Sequence, residues 1–492
     1  MRFNIHLKEH YQAIAAYSGF ILILAGLLEL FPIVITLFYP AELTFASGFF
    51  IPSAGLILLG FILWFFFRFH KSVVLTMMEG GVIVLFCWII TCLFSALPFM
   101  MISGLNFTQA VFESVSGWTT TGLSVIDVTN TPHCLLFWRS LMQLAGGAGL
   151  VIIMLSAIAG PAGPGLSIAE GRSDQLVPNV RHSAKLVLKL YLTYVIVGSI
   201  IYYLAGMSLF DAVNHSFAVF STGGFSTRAT SIGYWNSPYI ETVTCIFMLI
   251  GNLNFITAFL LFKRKFRFII KNGELHVLTV IFIIAFLAIL FGVVLPLSMP
   301  ISKSIRVSLF ETITAITTTG YSTIDYQNWN DFGFLITIIL MLIGGGVFST
   351  AGGIKQYRIY ILLKSIQWRL QRAFLPKTAV TDNSVWMGDT KKSISDTHKT
   401  QVSTFIFIYI IVYLIGVGIL TSQGYTLRNS LFEFASALGT VGLSVGITQT
   451  SAPPIILWSE TIAMFLGRLE FIVVIVSIIK IFQDIISFFR SR

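Results

Sequence analysis

Four short runs of this chain place hydroxyls, apolar residues and glycine at matching positions. They are Thr119-Thr120-Thr121-Gly122-Leu123-Ser124, Ser221-Thr222-Gly223-Gly224-Phe225-Ser226, Thr317-Thr318-Thr319-Gly320-Tyr321-Ser322 and Gly439-Thr440-Val441-Gly442-Leu443-Ser444. Each has a Thr two residues before a glycine, then a bulky apolar or aromatic residue, then Ser. Backbone carbonyls in such a run can replace the hydration shell of a cation, and glycine permits the dihedrals this requires. A Thr-Gly run bracketed by membrane spans is the pattern of a potassium selectivity filter, and four of them suggest a whole pore in one polypeptide. The expected ion-binding residues, through backbone carbonyls that hold potassium, are Thr120, Thr121 and Gly122; Thr222, Gly223 and Gly224; Thr318, Thr319 and Gly320; and Thr440, Val441 and Gly442. One copy alone reads more readily as a surface turn before a strand. Four in register do not.

The matching register extends upstream. Sixteen residues before the four glycines stand Asn106, Ser208, Ser304 and Thr426, all favoured helix N-caps, and nine before them stand Glu113, His215, Glu311 and Glu433. About a dozen residues between cap and run make roughly 18 Å of helix, about half the hydrocarbon thickness. Such a half-membrane helix would point its negative C-terminal end at the run and favour a cation. The buried carboxylates are expected to brace the run through backbone N–H groups.

Composition fixes the setting. The chain has 492 residues, is 56% hydrophobic and 11% charged, and has a mean hydropathy of +0.86, which a soluble fold cannot hide. The excess of 31 Lys+Arg over 21 Asp+Glu would suit a nucleic-acid partner, but its placement argues against one. The basic residues crowd into 1–14, 68–80, 160–190, 263–273, 355–399 and 480–492, alternating with poor segments; only Arg139, Arg228, Lys303, Arg306, Arg428 and Arg468 lie elsewhere. This is a positive-inside pattern with both termini cytoplasmic and no nucleic acid involved. Cys87, Cys92, Cys134 and Cys245 lack metal or disulfide spacing and read as small core residues. No cleavable leader is read after Met1.

The expected architecture is an all-α integral membrane protein. Apolar runs at 15–39 and 48–67 form an N-terminal transmembrane hairpin (1–70). Four parallel units of outer helix, pore helix, filter and inner helix follow, at 71–172, 173–268, 269–376 and 377–492, in a pseudo-fourfold arrangement. Outer helices are expected near 80–102, 184–206, 274–297 and 400–421, and inner helices near 133–159, 236–262, 328–372 (interrupted) and 453–488. That gives ten spans and four re-entrant segments. The filter glycines recur at steps of 102, 96 and 122 residues, the last stretched by a polar cytoplasmic loop at 376–399. The Gly160–Gly165 stretch reads as a cytoplasmic turn, and no dinucleotide, P-loop, metalloprotease or catalytic-triad spacing occurs.

Two places break the hydrophobic pattern. Gly344, Gly345, Gly346, Ser349, Thr350, Gly352 and Gly353 lie within the third inner helix, at a density that predicts a broken helix whose loop gates an ion path. Close helix packing is the alternative. The glycines of the other inner helices, Gly146, Gly147, Gly251 and Gly467, fit packing or gentle bending equally well. Arg468 stands mid-helix in Phe465–Phe471, where a charge is costly in a bilayer; it is expected to face the conduction path and repel cations, a structural pair with Glu470 being the alternative.

These features together resemble the superfamily of Trk, Ktr and HKT potassium transporters over essentially the whole chain. The marks are the four Thr-x-Gly-x-Ser runs, Ser349-Thr350-Ala351-Gly352-Gly353-Ile354-Lys355, and Gly467-Arg468-x-Glu470. The extra hairpin looks like the TrkH/TrkG branch. The resemblance implies potassium uptake across a prokaryotic inner membrane by a homodimer with one pore per subunit. It also implies regulation by a separate cytoplasmic ring of Rossmann-type subunits, with any nucleotide bound there and no covalent cofactor on this chain. In that superfamily a Ser in the first filter goes with sodium, so Gly122 implies potassium. His215 and Gly223 depart from their counterparts in the other repeats, which makes the fourfold symmetry imperfect. A K+/Na+ or K+/H+ symporter on the same fold is the competing transport reading. Parallel rather than inverted repeats, and only one clearly broken helix, favour a pore. A membrane enzyme lacks the residue clusters it would need.

Overall fold

A computed structural model describes residues 2–67, 75–149, 180–254, 257, 264, 272–347, 349–376, 383–387 and 390–490. Among these residues six helices are long and apolar enough to cross a membrane: Lys8–Thr36, Pro40–Phe67, Met78–Ser103, Lys185–Leu204, Gly273–Leu297 and Asp396–Ser422. Inside a bilayer the backbone must satisfy its own polar groups, which is why long apolar runs become helices.

The N-terminal helices Arg2–Glu29 and Ala46–Phe67 pack closely through small residues. Gly19 and Gly60 face each other so tightly that a Cβ on either would meet the other's carbonyl oxygen, and the Ser53 hydroxyl donates to the Gly26 carbonyl at 2.6 Å. Small residues and hydroxyls let apolar helices approach where no hydrophobic force drives them together.

The long outer helices Met77–Ser103, Val180–Leu204, Gly273–Ile289 and Asp396–Ser422 each precede a short one: Phe107–Trp118, Leu209–Phe220, Ile301–Ile316 and Leu427–Leu438. Asn106, Ser208 and Thr426 cap three of the short helices, accepting from the N–H of Gln109, Asp211 and Asn429. The third differs from the sequence expectation. Pro300 precedes its first residue, so the helix starts earlier, and Ser304 lies inside it with its hydroxyl donating to the Met299 carbonyl. Proline ends the preceding chain direction and presets φ for a helix start.

The helices after the runs are short: His133–Ala148, Pro238–Asn252, Asp331–Ile343 and Pro454–Leu469 have 16, 15, 13 and 16 residues. Even 16 residues reach only about 24 Å, less than the hydrocarbon core. The third resumes as Gln356–Ala373. The fourth also breaks, a correction to the single interrupted helix expected: Glu470 has φ +62°, and Phe471–Ser487 leaves at 98°. Both Glu470 oxygens accept from Arg358 at 2.8 Å, and Arg358 lies over the Phe405 ring, so the bend is held from outside. The continuation of the first two of these helices and the Gly160–Gly165 turn lie outside the described residues.

The 376–399 segment is more than a loop. Ser384–Met387 pairs antiparallel with Thr390–Ser393, and Val385 and Ile394 pack on Tyr360, Ile361 and Val402. All four cysteines are buried and free, as small core residues would be.

Candidate ion-binding site

Each short helix delivers its run to the same place by the same backbone device. The N–H groups of Thr121, Gly223, Thr319 and Val441 reach back to the carbonyls of Ser116, Ala218, Thr314 and Ser436 at 2.8–3.0 Å. Thr120, Thr222, Thr318 and Thr440 all have φ between +50° and +55°. A left-handed β-branched residue is a real outlier, of order 1–3 kcal/mol, and persists only where the surroundings hold it. The four glycines that follow have φ from +71° to +96°.

The runs abut in a closed cycle. A Cβ on Gly122 would strike the Gly223 carbonyl oxygen, one on Gly224 that of Thr319, one on Gly320 that of Val441, and one on Gly442 that of Thr121. First meets second, second third, third fourth, and fourth first. Only residues without a Cβ allow this approach. On one side a cavity of about 720 Å³ opens, lined by all four glycines, by Ser124, Ser226, Ser322 and Ser444, and by Asp127 and Asp325.

The flanks of the runs are fixed by buried side chains. Glu113 accepts from the Ser124 hydroxyl and from Val125 N–H, and its Oε1 pairs with Arg139 at 2.7 Å. Glu311 accepts from Thr323 N–H and its hydroxyl and from Tyr326. Glu433 accepts from Ser444 and from the N–H groups of Val445 and Thr448. In the second run His215 takes this place. The Asp211 carbonyl can only accept, so His215 Nδ1 donates to it at 2.8 Å, and Nε2 meets the Ser226 hydroxyl at 2.9 Å.

On the other side of the cycle lies the glycine-rich break. Gly344 (φ +70°) and Gly353 (φ +77°) pinch the chain back on itself, and Gly345 N–H donates to the Gly352 carbonyl at 3.1 Å. Gly346 N–H and Val347 N–H donate to Asn252 and Glu274, and the Ser349 hydroxyl to the Gly346 carbonyl. The tip touches the runs: the Thr222 hydroxyl meets Thr350 Oγ1 at 3.2 Å, and Gly352 N–H donates to Thr318 Oγ1 at 2.7 Å. A Cβ on Gly352 would collide with Thr440. Arg468 fastens the loop, donating to the Thr350 carbonyl at 2.6 Å and to the Gly146 carbonyl of the first inner helix at 2.5 Å. Its partner is therefore the loop, while Glu470 pairs with Arg358.

The family model for TrkH, described as cation transport protein, matches residues 46–487. The chain belongs to that family. Its members are cation transporters, not enzymes, and this TrkH-family chain is an integral membrane protein of many apolar helices. It is 30% identical to an uncharacterized cation transporter of Methanocaldococcus jannaschii, over 95% of each chain. It is also 30% identical to the Trk system potassium uptake protein TrkG of Escherichia coli, over 95% of this chain and 98% of that one. The crystal structure of the potassium transporter TrkH from Vibrio parahaemolyticus superposes with a TM-score of 0.82 at 26% identity, covering 95% of this chain and 98% of that chain.

Several groups that shape the site of this TrkH-family protein were not found from its sequence. Arg139 stands in the sequence only as a basic residue outside the crowded segments, yet it pairs with Glu113, donates to the Ser226 carbonyl and lies 3.9 Å from the Phe225 ring centre. Its signal was a lone Arg in an apolar helix, facing a lone Glu in another. The inner-helix glycines have a definite role: a Cβ on Gly146 would meet the Trp118 carbonyl, and one on Gly467 that of Leu438. They let the first and fourth inner helices press on the last turn of the short helix before each. Among the described residues no group of three or more His, Cys, Asp or Glu could hold a metal ion.

Proposed function

We propose that this protein is a potassium-selective uptake pore of a prokaryotic inner membrane, formed by four parallel repeats around one pseudo-fourfold axis. The observation that carries the reading is the closed cycle in which each run's glycine abuts the next run's carbonyl. Such a cycle surrounds an axis with backbone oxygens contributed by four equivalent segments, the arrangement that replaces a cation's hydration shell. Thr120, Thr121, Gly122 and their counterparts in the other runs hold the ion. Potassium is assigned from glycine at all four positions and from relatives named as potassium uptake proteins.

The cavity edged by Asp127 and Asp325 is the outer mouth. The basic segment 355–399 supports a cytoplasmic assignment of the opposite side, and the basic residues near both ends support the same for the termini. There the 344–353 loop is the gate. It lies against Thr222, Thr318 and Thr440, and Arg468 adds a positive charge that disfavours a cation beneath the filter until the loop withdraws. Resemblance to the superfamily supports a homodimer and a separate nucleotide-binding ring that moves this loop.

The test is tracer flux in liposomes holding purified protein, with a potassium gradient and no sodium or proton gradient. Passive potassium flux that exceeds sodium flux is the expected result. Flux that appears only when sodium or protons are supplied would replace the pore with a symporter on the same fold. No cation flux with or without those gradients would overturn both.

A further inference from the structure

Gln143 is fully buried in the first inner helix and belongs to none of the four runs. Its side chain crosses to the second run. Nε2 donates to the Gly223 carbonyl at 2.5 Å, and Oε1 accepts from Phe225 N–H at 3.1 Å. A carbonyl only accepts and a backbone N–H only donates, so the amide has one orientation that satisfies both. The same amide fills the space that a side chain on residue 223 would need.

Among the described residues this arrangement occurs once. The counterparts of Gly223 are Thr121, Thr319 and Val441, and the residues three before Gly251, Gly344 and Gly467, as Gln143 is three before Gly146, are Met248, Met341 and Met464. The second run also lacks a brace that two others have. Ser116 Oγ accepts from Gly122 N–H at 3.1 Å and Ser436 Oγ from Gly442 N–H at 3.0 Å, but Ala218 stands at that place in the second repeat. Two consecutive glycines make this the softest backbone of the four. Its Gly223 carbonyl is nevertheless one of the four that close the cycle, the one against Gly122.

We propose that Gln143 is a positioning residue for ion discrimination, fixing and polarising the Gly223 carbonyl in place of the side chain that the second run has lost. Selectivity depends on how many carbonyls face the ion and how strong their field is. Releasing one of the four lets the second run relax around a smaller cation. The proposal rests on the cycle being an ion filter.

The test compares potassium and sodium tracer flux in liposomes for the parent, Gln143→Leu, and Gly223→Thr with Gln143→Ala. Gln143→Leu is expected to keep its yield and elution profile while the potassium-over-sodium flux ratio falls by about fivefold, the equilibrium factor that one net hydrogen bond represents. The double variant, which puts a Thr like those of the first and third runs into the vacated space, is expected to recover most of that ratio. A well-folded Gln143→Leu protein with the parent's ratio overturns the proposal. Should Leu prevent folding, Gln143→Met, which preserves volume and donates nothing, decides on the same readout. A parent that carries no potassium is a separate failure, seen before any variant is compared, and it removes the pore reading along with the proposal.

Discussion

At Gly122 two constraints coincide: φ is +94°, and the direction a Cβ would take is occupied by the Gly223 carbonyl oxygen. Gly122→Ser must therefore shift one run against the next, changing the field of the carbonyls in the proposed filter. Potassium-over-sodium discrimination, read from reversal potentials or rubidium and sodium uptake, is expected to fall; an unchanged ratio would remove Gly122 from the filter. Arg468 acts differently, through two short hydrogen bonds that tie the loop tip to the first inner helix. Hydrogen bonds from a charged donor contribute roughly 1.5 kcal/mol or more each, so Arg468→Ala destabilises the closed loop by roughly 3 kcal/mol. Resting potassium flux is expected to rise by an order of magnitude or more with little change in yield. Poor yield with unchanged permeation would make Arg468 a structural tie only.

At the scale of elements, the third inner helix stops at Ile343 because Gly344 and Gly353 turn the chain, and it resumes at Gln356 with the intervening residues folded under the runs. Deleting 345–350 removes Thr350 and with it the contacts to Thr222 and Arg468, so flux without any partner protein is expected to increase. A fall in yield with no rise in flux would mean the segment only packs. Much of this level could be read in the sequence, because glycine density, cap residues and apolar length act locally. Asn106, Ser208 and Thr426 cap where their types suggest, whereas Ser304 does not, since Pro300 starts the helix first. The break at Glu470 was not legible for another reason. Its one nearby glycine, Gly467, serves close packing on the Leu438 carbonyl, and the bend depends on Arg358, 112 residues away in the chain. The same distance effect hid the Glu113–Arg139 pair and the clamp of Gln143 on Gly223. Type and spacing predict what a residue does to its own turn of chain, and say little about which distant group it meets.

Across the whole molecule the charges follow the path proposed for the ion. Arg139 and Arg228 line the cavity proposed as the outer mouth but are neutralised by Glu113 and Asp211, while Asp127 and Asp325 at the same rim are exposed and form no ion pair among the described residues. The mouth is thus net negative, and low-dielectric walls concentrate such a field on an arriving cation. Hydrogen bonds from the Thr129 hydroxyl and N–H and from Asn130 hold the Asp127 carboxyl below its ordinary range. The charge at Asp127 therefore persists to a lower pH than that of an ordinary aspartate. Replacing both residues by Asn is expected to slow potassium entry at an ionic strength of about 0.01 M, where charges act over roughly 30 Å, and to matter little at about 0.15 M, where they act over roughly 8 Å. Flux measured against salt checks this. A double variant slowed equally at both salt concentrations would mean that these carboxylates hold the rim's shape, and one slowed at neither would mean that cations enter without help from the field of the mouth.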